Sequence, residues 1–265
     1  MSRSKDRRDI YYRLAKEQEF RARSAFKLLQ IDETFEILNN VVRAVDLCSA
    51  PGSFSQVLAR RIPEIPERRI ISVDLNEISP IPGVTFLQGD ITSEETALKI
   101  VELAGGQIDL ITFDGAPDVS GMELLDQYLQ NTLVKAALAI TSAVLKPGGS
   151  FVAKIFRGRA VSILYAQLQV LFKNVHVVKP RSSRNSSLEA FVVCLDYSPP
   201  EGYISPLFSP DTNNFPLETQ KLIPLLQCGD LSAFDSNISF EFDGDSIKPV
   251  QLPINPPYAD VISKN

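Results

Sequence analysis

The sequence has few residues of the kinds that bind metals or form disulfides. Its 265 residues include no tryptophan, one histidine and three cysteines. Cys48, Cys194 and Cys228 are odd in number, far apart and never arranged as CxxC, which indicates neither a disulfide framework nor a zinc site. His176 alternates with apolar residues in NVHVVKP, a strand pattern, so we predict no metal centre.

The sequence also lacks a long apolar run. A membrane-spanning helix needs about 20 mostly apolar residues, and no stretch of this kind occurs. The opening MSRSKDRRDIYYRLAKEQEF lacks the apolar segment of a signal peptide. We therefore expect a soluble protein of the cytoplasm with no membrane partner.

Charge is unevenly distributed along the chain. The net charge is −5, but residues 1–27 carry nine Lys/Arg against four Asp/Glu, a local +5 that leaves −10 for the rest. A basic arm with Tyr11, Tyr12 and Phe20 among its cations suits a phosphate backbone with stacking partners. A solvated, charge-rich helix accounts for the same composition equally well.

The central part of the chain alternates strand and helix patterns. Seven short runs rich in β-branched residues read as strands: VVRAVDL, RIISVDL, VTFLQGD, IDLITFD, SFVAKIF, VHVVKP and AFVVCLDY. Most of them are separated by segments whose apolar residues recur at helical spacing. This alternation predicts an α/β fold with a mostly parallel seven-stranded sheet and helices on both faces. The last two runs are too close for a helical crossover, so we predict an antiparallel hairpin at one edge.

The pattern divides the chain into three segments. Residues 1–40 form a basic helical arm packed on the core, and residues 41–198 form the α/β core itself. From residue 199 the periodicity ends, and residues 201–265 contain three Lys against nine Asp/Glu. We predict that 199–265 is an irregular acidic tail and a candidate docking segment for a partner.

The strand ends carry the polar groups that point to function. Ligands of open α/β sheets bind outside the carboxyl ends of the strands. In the turn CSAPGSFSQ, Gly52 lets the backbone approach a ligand, and the following helix offers free amides to a carboxylate. An aspartate after a strand is commonly only a helix cap, but jointly these groups describe a pocket for a nucleoside with an amino-acid tail: Asp46, Asp74, Asp90, Asp114 and Lys154.

Two cofactor classes fit an acidic residue about 20 positions after a glycine turn. A nicotinamide dinucleotide would use Asp74 in this way, but GxGxxG is absent and APGSFSQ offers no second glycine for a pyrophosphate. The sequence therefore favours S-adenosylmethionine.

At this point the sequence resembles a known family. RSAFKLL, DLCSAPGSFSQ, SVDL, GDIT, DGAPD, AKIFRG and PRSSRNSSLEAF occur in order over residues 1 to about 197 and look like the FtsJ-type (RrmJ-like) ribose 2′-O-methyltransferases. The opening SKDRRDIYYRLAKEQEFRARSAFKLLQID and the closing INPPY look closer still to the eukaryotic members that act on the tRNA anticodon loop. The resemblance implies the class I, Rossmann-like fold of methyltransferases that use S-adenosylmethionine.

The resemblance also implies residue roles. The family's catalytic Lys-Asp-Lys-Glu tetrad would fall on Lys27, Asp114, Lys154 and Glu189. Donor contacts would fall on the residues at the strand ends and in the turn: Asp46, Ser49, Pro51, Gly52, Phe54, Asp74, Asp90, Ile91 and Asp114. Phe54 stands where the family usually has tryptophan, and Ser49 where it often has alanine, which bears on cofactor affinity rather than on reaction type.

The chemistry gives the tetrad a purpose. A ribose 2′-hydroxyl is a poor nucleophile, so a base must take its proton as it attacks the methyl group in line. Burial and a second ammonium, supplied by Lys27, would both favour a neutral Lys154. Asp114 and Glu189 oppose that shift, and the sequence leaves open which influence wins.

The remaining basic residues suggest a path for RNA. Arg157 follows the strand of Lys154, and KPRSSRNSS reads as a flexible serine-rich loop before Glu189 that presents Arg181 and Arg184. A solvated loop is the alternative reading. With the arm, the candidate RNA-binding residues are Arg7, Arg8, Arg21, Arg23, Arg157, Arg181 and Arg184.

By the resemblance, the expected activity is 2′-O-methylation of tRNA, in the family at nucleotides 32 and 34, by SN2 transfer with a lysine base. The family member works with accessory subunits of the helical-repeat and WD-repeat types, which the acidic tail could dock. Alternatives are the same transfer to ribosomal RNA or to an mRNA cap, a catalytically inactive RNA-binding scaffold, and, more remotely, a nicotinamide oxidoreductase.

Overall fold

The structure is a computed structural model that describes residues 9–117, 120–158, 161–205, 225–230, 232 and 250–251. Its strands are β1 (Arg43–Leu47), β2 (Arg69–Asp74), β3 (Thr85–Gln88), β4 (Ile108–Phe113), β5 (Leu145–Phe156), β6 (Phe172–Pro180), β7 (Glu189–Tyr197) and β8 (Leu225–Cys228). Its helices are α1 (Ile10–Glu17), α2 (Ala25–Phe35), α3 (Ser53–Arg61), α4 (Glu94–Ala104), α5 (Glu123–Val144) and α6 (Val161–Leu171).

The strands form one sheet in the order β3-β2-β1-β4-β5-β7-β6-β8. Strands β1 to β5 pair in parallel, and among the described strands only β7 runs against them, between β5 and β6. The strand order changes direction between β1 and β4, which is the switch point where such sheets bind ligands. The predicted mostly parallel α/β sheet is confirmed.

Alternate residues of each strand enter two different cores. Val45 and Ile111 face a cluster with α4, α5 and α6, whereas Ala44 and Leu110, their chain neighbours, face a cluster with α1, α2 and α3. This alternation follows from the period of two in a strand and explains why the central strands are apolar throughout. The predicted helices on both faces are confirmed.

The sheet has one strand more than the sequence predicted. Residues 225–228 of the tail form β8, which pairs in parallel with β6 from Val177 to Pro180. The predicted hairpin of β6 and β7 is present, but β6 is covered by β8 and is not an edge. The physical reason is that an unpaired strand edge offers a row of backbone groups, and even the four residues LLQC can satisfy them.

Helix ends follow local signals in the sequence. Helix α4 begins after Ser93 with Glu94 and Glu95 in its first turn, where carboxylates favour the positive end of the helix dipole. It ends at Gly105, which has a φ of 58°, a left-handed conformation that glycine adopts without strain. Helix α1 begins after Asp9, whose carboxylate accepts a hydrogen bond from the Tyr12 N–H at 3.2 Å.

In the described part of the chain, no helix combines the length and the apolar character that crossing a bilayer would need.

Asp109 ties together three segments at the end of the sheet opposite the strands' carboxyl termini. Its Oδ2 accepts hydrogen bonds from the N–H groups of Val42 and Arg43 at 2.8 and 2.7 Å, and its Oδ1 lies 2.5 Å from Lys146 Nζ. Burial would raise the pKa of this carboxyl, but Lys146 and the two N–H groups outweigh it and hold the pKa below its ordinary value of 3.8. The ionised carboxylate therefore stabilises the fold.

We predict that Asp109→Asn lowers the free energy of unfolding at neutral pH by about 1–3 kcal/mol, because hydrogen bonds to a charged acceptor weaken. A lowered folded pKa stabilises above the unfolded pKa and is lost as pH falls through the folded pKa, so the difference from the wild type should shrink below about pH 4. Urea unfolding followed by circular dichroism measures both effects. Glu67→Gln, at an exposed glutamate in a turn outside the helices, is the control and should leave the midpoint unchanged; equal stability of Asp109→Asn and wild type would contradict the prediction.

Candidate active site

The four residues of the predicted tetrad come together at the carboxyl ends of the central strands. Asp114 follows β4, Lys154 lies near the end of β5, and Glu189 opens the antiparallel strand β7 opposite Phe156. Lys27 reaches this edge from helix α2. Four segments far apart in the chain thus supply one cluster, and its four side chains are 10–16% exposed.

The cluster is a chain of ion pairs. Lys27 Nζ lies 2.7 Å from Glu189 Oε2 and 3.7 Å from Asp114 Oδ1. Lys154 Nζ lies 3.3 Å from the same Asp114 oxygen and donates a hydrogen bond to the Asp114 carbonyl at 2.7 Å. Asp114 therefore contacts both lysines, whereas Glu189 forms its ion pair with Lys27.

The pKa shifts show which influence wins at Lys27 and Glu189. Burial lowers the pKa of Lys27, but Asp114 and Glu189 outweigh it, and the net pKa is raised. Burial raises the pKa of Glu189, yet Lys27 and Lys154 bring it down to about 2. Lys27 and Glu189 are thus held as a charged pair.

A cleft with an empty volume of about 180 Å³ adjoins the tetrad through Asp114. Four predicted donor contacts line it, namely Asp46, Ser49, Phe54 and Asp114. Ser24, Cys48, Ala50 and Ser53 complete the lining and were not predicted. Cys48 and Ala50 lie inside the DLCSAPG motif. The whole motif therefore predicts the cleft lining better than its acidic and glycine positions alone.

The turn before helix α3 suits an anionic ligand group. Gly52 has a φ of +102°, and a Cβ there would come within 2.9 Å of Arg21 Nη1 and Ile81 Cδ1. The residue before α3 is Gly52, which has no side chain to cap the amides of the first turn, and a start of this kind suits a carboxylate ligand. Pro51 and Gly52 therefore shape the backbone beside the cleft rather than line it.

Three other predicted donor contacts lie away from the cleft lining. Asp74 is buried and accepts hydrogen bonds from the Ala50 N–H and the Asn76 N–H, both at 2.8 Å, which fixes the turn against β2. Asp90 is exposed and accepts hydrogen bonds from the Thr92 N–H and hydroxyl, and Ile91 is buried. Their contact with a donor stays a prediction.

Asp46 lies at the centre of a buried polar network. One carboxylate oxygen accepts the Ser55 hydroxyl at 2.6 Å and the other accepts the Thr112 hydroxyl at 2.9 Å. Ser72 links Ser55 to Ser49 at the cleft, with oxygen separations of 3.0 and 2.6 Å. Burial raises the pKa of Asp46 to about 7, against the opposing effect of these hydroxyls.

Two of the predicted RNA contacts, Arg21 and Arg23, make hydrogen bonds and an ion pair within the protein. Arg21 donates to the carbonyls of Pro51 and Pro80 at 3.1 and 2.9 Å, and Arg23 pairs with Asp9 and donates to the Ser182 carbonyl. Both guanidinium groups are used within the protein, because the buried arm needs partners for its polar backbone and for Asp9. Arg7 and Arg8 lie outside the described residues.

The loop before Glu189 is also different from the prediction. The sequence predicted a flexible serine-rich loop, but Ser182 and Ser183 are buried. The Ser182 N–H donates to Gln30 Oε1 at 2.9 Å, and Lys179 Nζ donates to the carbonyls of Ser187 and Glu189 at 2.6 and 3.2 Å. Arg184 is 53% exposed, whereas Arg157 and Arg181 are half-buried.

The chain is similar in sequence and fold to known proteins. Residues 20–197 match the family model described as FtsJ-like methyltransferase. A human tRNA (cytidine(32)/guanosine(34)-2′-O)-methyltransferase is 52% identical over 97% of this chain and 83% of its own length. The Schizosaccharomyces pombe protein of the same name is 46% identical over 98% of this chain and 95% of its own. A Plasmodium falciparum ribosomal RNA methyltransferase structure has a TM-score of 0.61 at 27% identity and covers 67% of this chain and 98% of that one.

The raised pKa of Asp46 predicts a pH dependence of stability. A carboxyl whose folded pKa lies near 7 destabilises the fold once ionised, so stability falls as pH rises from about 4 to about 7 and is flat above. Between about pH 8 and pH 5 the wild type should gain on the order of 2 kcal/mol relative to Asp46→Asn, which has no charge to bury. Urea unfolding across this range, without added ligand, tests the prediction; parallel pH profiles for the two proteins would contradict it.

Proposed function

This chain belongs to the FtsJ-like methyltransferase family, and we propose that it methylates the ribose 2′-hydroxyl of tRNA nucleotides 32 and 34 with S-adenosylmethionine as donor. The observation that carries the proposal is the cluster of Lys27, Asp114, Lys154 and Glu189 beside a cleft at the switch point of the sheet. The human and S. pombe relatives are named for this reaction and align over nearly the whole chain.

The residues of the cleft and of the turn beside it fit the donor. The amides at the start of α3 suit its carboxylate, Phe54 offers an apolar wall, and Asp74, which is buried at the turn, suits a polar group of the nucleoside. When bound, S-adenosylmethionine supplies an electrophilic methyl group on a sulfonium. Asp90 and Ile91, on the loop after β3, extend the proposed donor site, and Ser49 and Asp46 support its wall.

The tetrad provides the base and its surroundings. Lys154, as a neutral amine, would take the proton of the 2′-hydroxyl, so that an N–H bond forms as the O–H bond breaks. The oxygen would bond to the methyl group as the bond from that methyl to the donor sulfur breaks, with the electron pair left on the sulfur. Asp114 holds Lys154 by its carboxylate and its carbonyl. The charged pair of Lys27 and Glu189 orients the hydroxyl, and its fixed charges need no reorganisation during the transfer.

The proposed RNA contacts are the basic residues around this edge that retain exposure. Arg184 is the most exposed of them. Arg181 begins the loop before Glu189, and the Arg157 N–H donates a hydrogen bond to the Leu188 carbonyl, next to Glu189, at 2.9 Å. Contacts of this kind with phosphates on either side of the target ribose would fix the register of the RNA. Arg21 and Arg23 are left out of this set, because their contacts hold the arm to the core.

Accessory subunits and the compartment are further parts of the proposal. We propose that residues 199–265 dock a helical-repeat or WD-repeat subunit that selects the nucleotide, and that the enzyme works in the cytoplasm. The acidic composition of the tail supports the first point. The three free cysteines suit a reducing compartment and support the second.

The proposed function is tested by measuring which RNA is methylated and whether Lys154 is needed for the transfer. We predict that the protein methylates tRNA rather than ribosomal RNA or capped transcripts, and that Lys154→Ala lowers kcat by at least about 10²-fold, the usual share of a general base. Lys146→Ala, on the same strand but beside Asp109 at its other end, is the matched control and should keep wild-type activity. Binding of S-adenosylhomocysteine should be unchanged in both variants. The thermal midpoint should fall modestly in both, because Lys146→Ala removes the cation beside Asp109 and Lys154→Ala removes one beside Asp114, so activity is compared at a temperature at which both variants are folded.

Nucleotide-resolved mapping of 2′-O-methylation in cells lacking the protein gives the complementary result. Loss of the marks at tRNA nucleotides 32 and 34 supports the proposal. Loss confined to ribosomal RNA, which the Plasmodium structure would favour, would refute the proposed substrate. Full activity of Lys154→Ala would refute the lysine-base mechanism.

The tail makes a separate prediction. A chain that ends at Asp230 retains β8 and should therefore fold and bind S-adenosylhomocysteine as the full chain does. It should lose copurification with the accessory subunit, because most of the acidic segment is removed. Unchanged copurification from cell extract would show that residues 231–265 are not the docking segment.

A further inference from the structure

The carboxylate of Glu189 is held at both of its oxygens. Oε2 lies 2.7 Å from Lys27 Nζ, and Oε1 accepts a hydrogen bond from the Ser183 hydroxyl at 2.7 Å. Lys27 supplies charge as well as a hydrogen bond, whereas Ser183 supplies direction only. Glu189 is thus fixed in rotation about its carboxyl group as well as in position.

Ser183 contacts Glu189 from inside the protein. The residue is 2% exposed, so it lies away from the surface that an RNA phosphate could reach. A buried hydroxyl needs a partner, and here that partner is a residue of the proposed active site. The position of the hydroxyl therefore decides where the carboxylate points.

The loop that carries Ser183 is anchored through both backbone groups of the preceding residue, Ser182. The Ser182 N–H donates to Gln30 Oε1 at 2.9 Å, and the Ser182 carbonyl accepts from Arg23, which is paired with Asp9. The Ser183 N–H donates to the Pro180 carbonyl at 2.9 Å. Gln30 lies three residues after Lys27 on helix α2, so one helix holds both the loop and the cation.

We propose that Ser183 is a positioning residue that fixes the Glu189 carboxylate toward Lys27 and the 2′-hydroxyl of the substrate. The inference rests on the proposed function, because it gives Ser183 a part in the same methyl transfer. Loss of the hydroxyl leaves Oε1 without its donor and lets the carboxylate turn, which slows the chemical step while the cleft and the RNA surface stay intact.

The test is a double-mutant cycle with Ser183→Ala and Glu189→Ala, measured as transfer of a labelled methyl group to tRNA. Ser183→Ala alone should lower kcat about tenfold, the effect of one hydrogen bond to a charged group, with unchanged KM for tRNA and donor. Ser183→Thr, which keeps the hydroxyl, should restore most of kcat. Added to Glu189→Ala, the Ser183→Ala change should cost nothing more, since its partner is gone. Ser186→Ala, at an exposed serine of the same loop, is the control for the loop itself.

The possible outcomes distinguish the positioning role of Ser183 from the proposed tRNA methylation. A wild-type protein without activity on tRNA overturns the proposed function. An active wild type with a Ser183→Ala variant of equal kcat overturns the positioning role alone. So does a Ser183→Thr variant that folds, binds S-adenosylhomocysteine and stays slow, or a loss that adds in full to that of Glu189→Ala, because either result marks a purely structural role.

Discussion

The ion-pair chain from Glu189 through Lys27 and Asp114 to Lys154 is the constraint on which the rest of the site depends. Removing charged groups from water is unfavourable unless each finds an opposite charge at close range. Helix α2, strands β5 and β7 and the loop after β4 must therefore meet at one edge of the sheet. The supporting contacts, from Gln130 to the Lys154 carbonyl and from Lys179 to the Glu189 carbonyl, hold the backbone where that meeting occurs.

The same constraint explains the division of labour between the two lysines. Lys27 lies closest to Glu189, its net pKa is raised, and it is suited to remain a cation. Lys154 has a carbonyl as its nearest oxygen partner, with the Asp114 carboxylate farther away at 3.3 Å. An amine that binds a neutral acceptor keeps that hydrogen bond after it loses a proton, since a neutral amine is still a donor. This difference between the two lysines supports the base role that we propose for Lys154.

Much of the fold and the tetrad could be predicted from the sequence, for identifiable reasons. The strands show as β-branched runs because both faces of the sheet are buried, and the tetrad lies in motifs that follow those runs. The roles of Arg21 and Arg23 could not be predicted, because a guanidinium that binds a carbonyl and one that binds a phosphate look alike in a sequence. Gln30 was missed because its partner Ser182 is distant in the chain. Ser183 lies only six residues before its partner Glu189, but a serine-rich segment does not show which of its hydroxyls turns inward. Strand β8 was missed because its pairing needs only four residues and the free edge of β6.

Strand β8 has a consequence beyond closing the sheet. The Cys228 carbonyl accepts a hydrogen bond from the Arg181 N–H, and the Gly229 N–H donates to the Thr34 hydroxyl of helix α2. Residues from the third segment of the chain thus form hydrogen bonds with both the loop before Glu189 and helix α2, which carries Lys27. The boundary between core and tail is therefore a boundary of sequence composition and not of mechanics: the catalytic unit extends at least to residue 229.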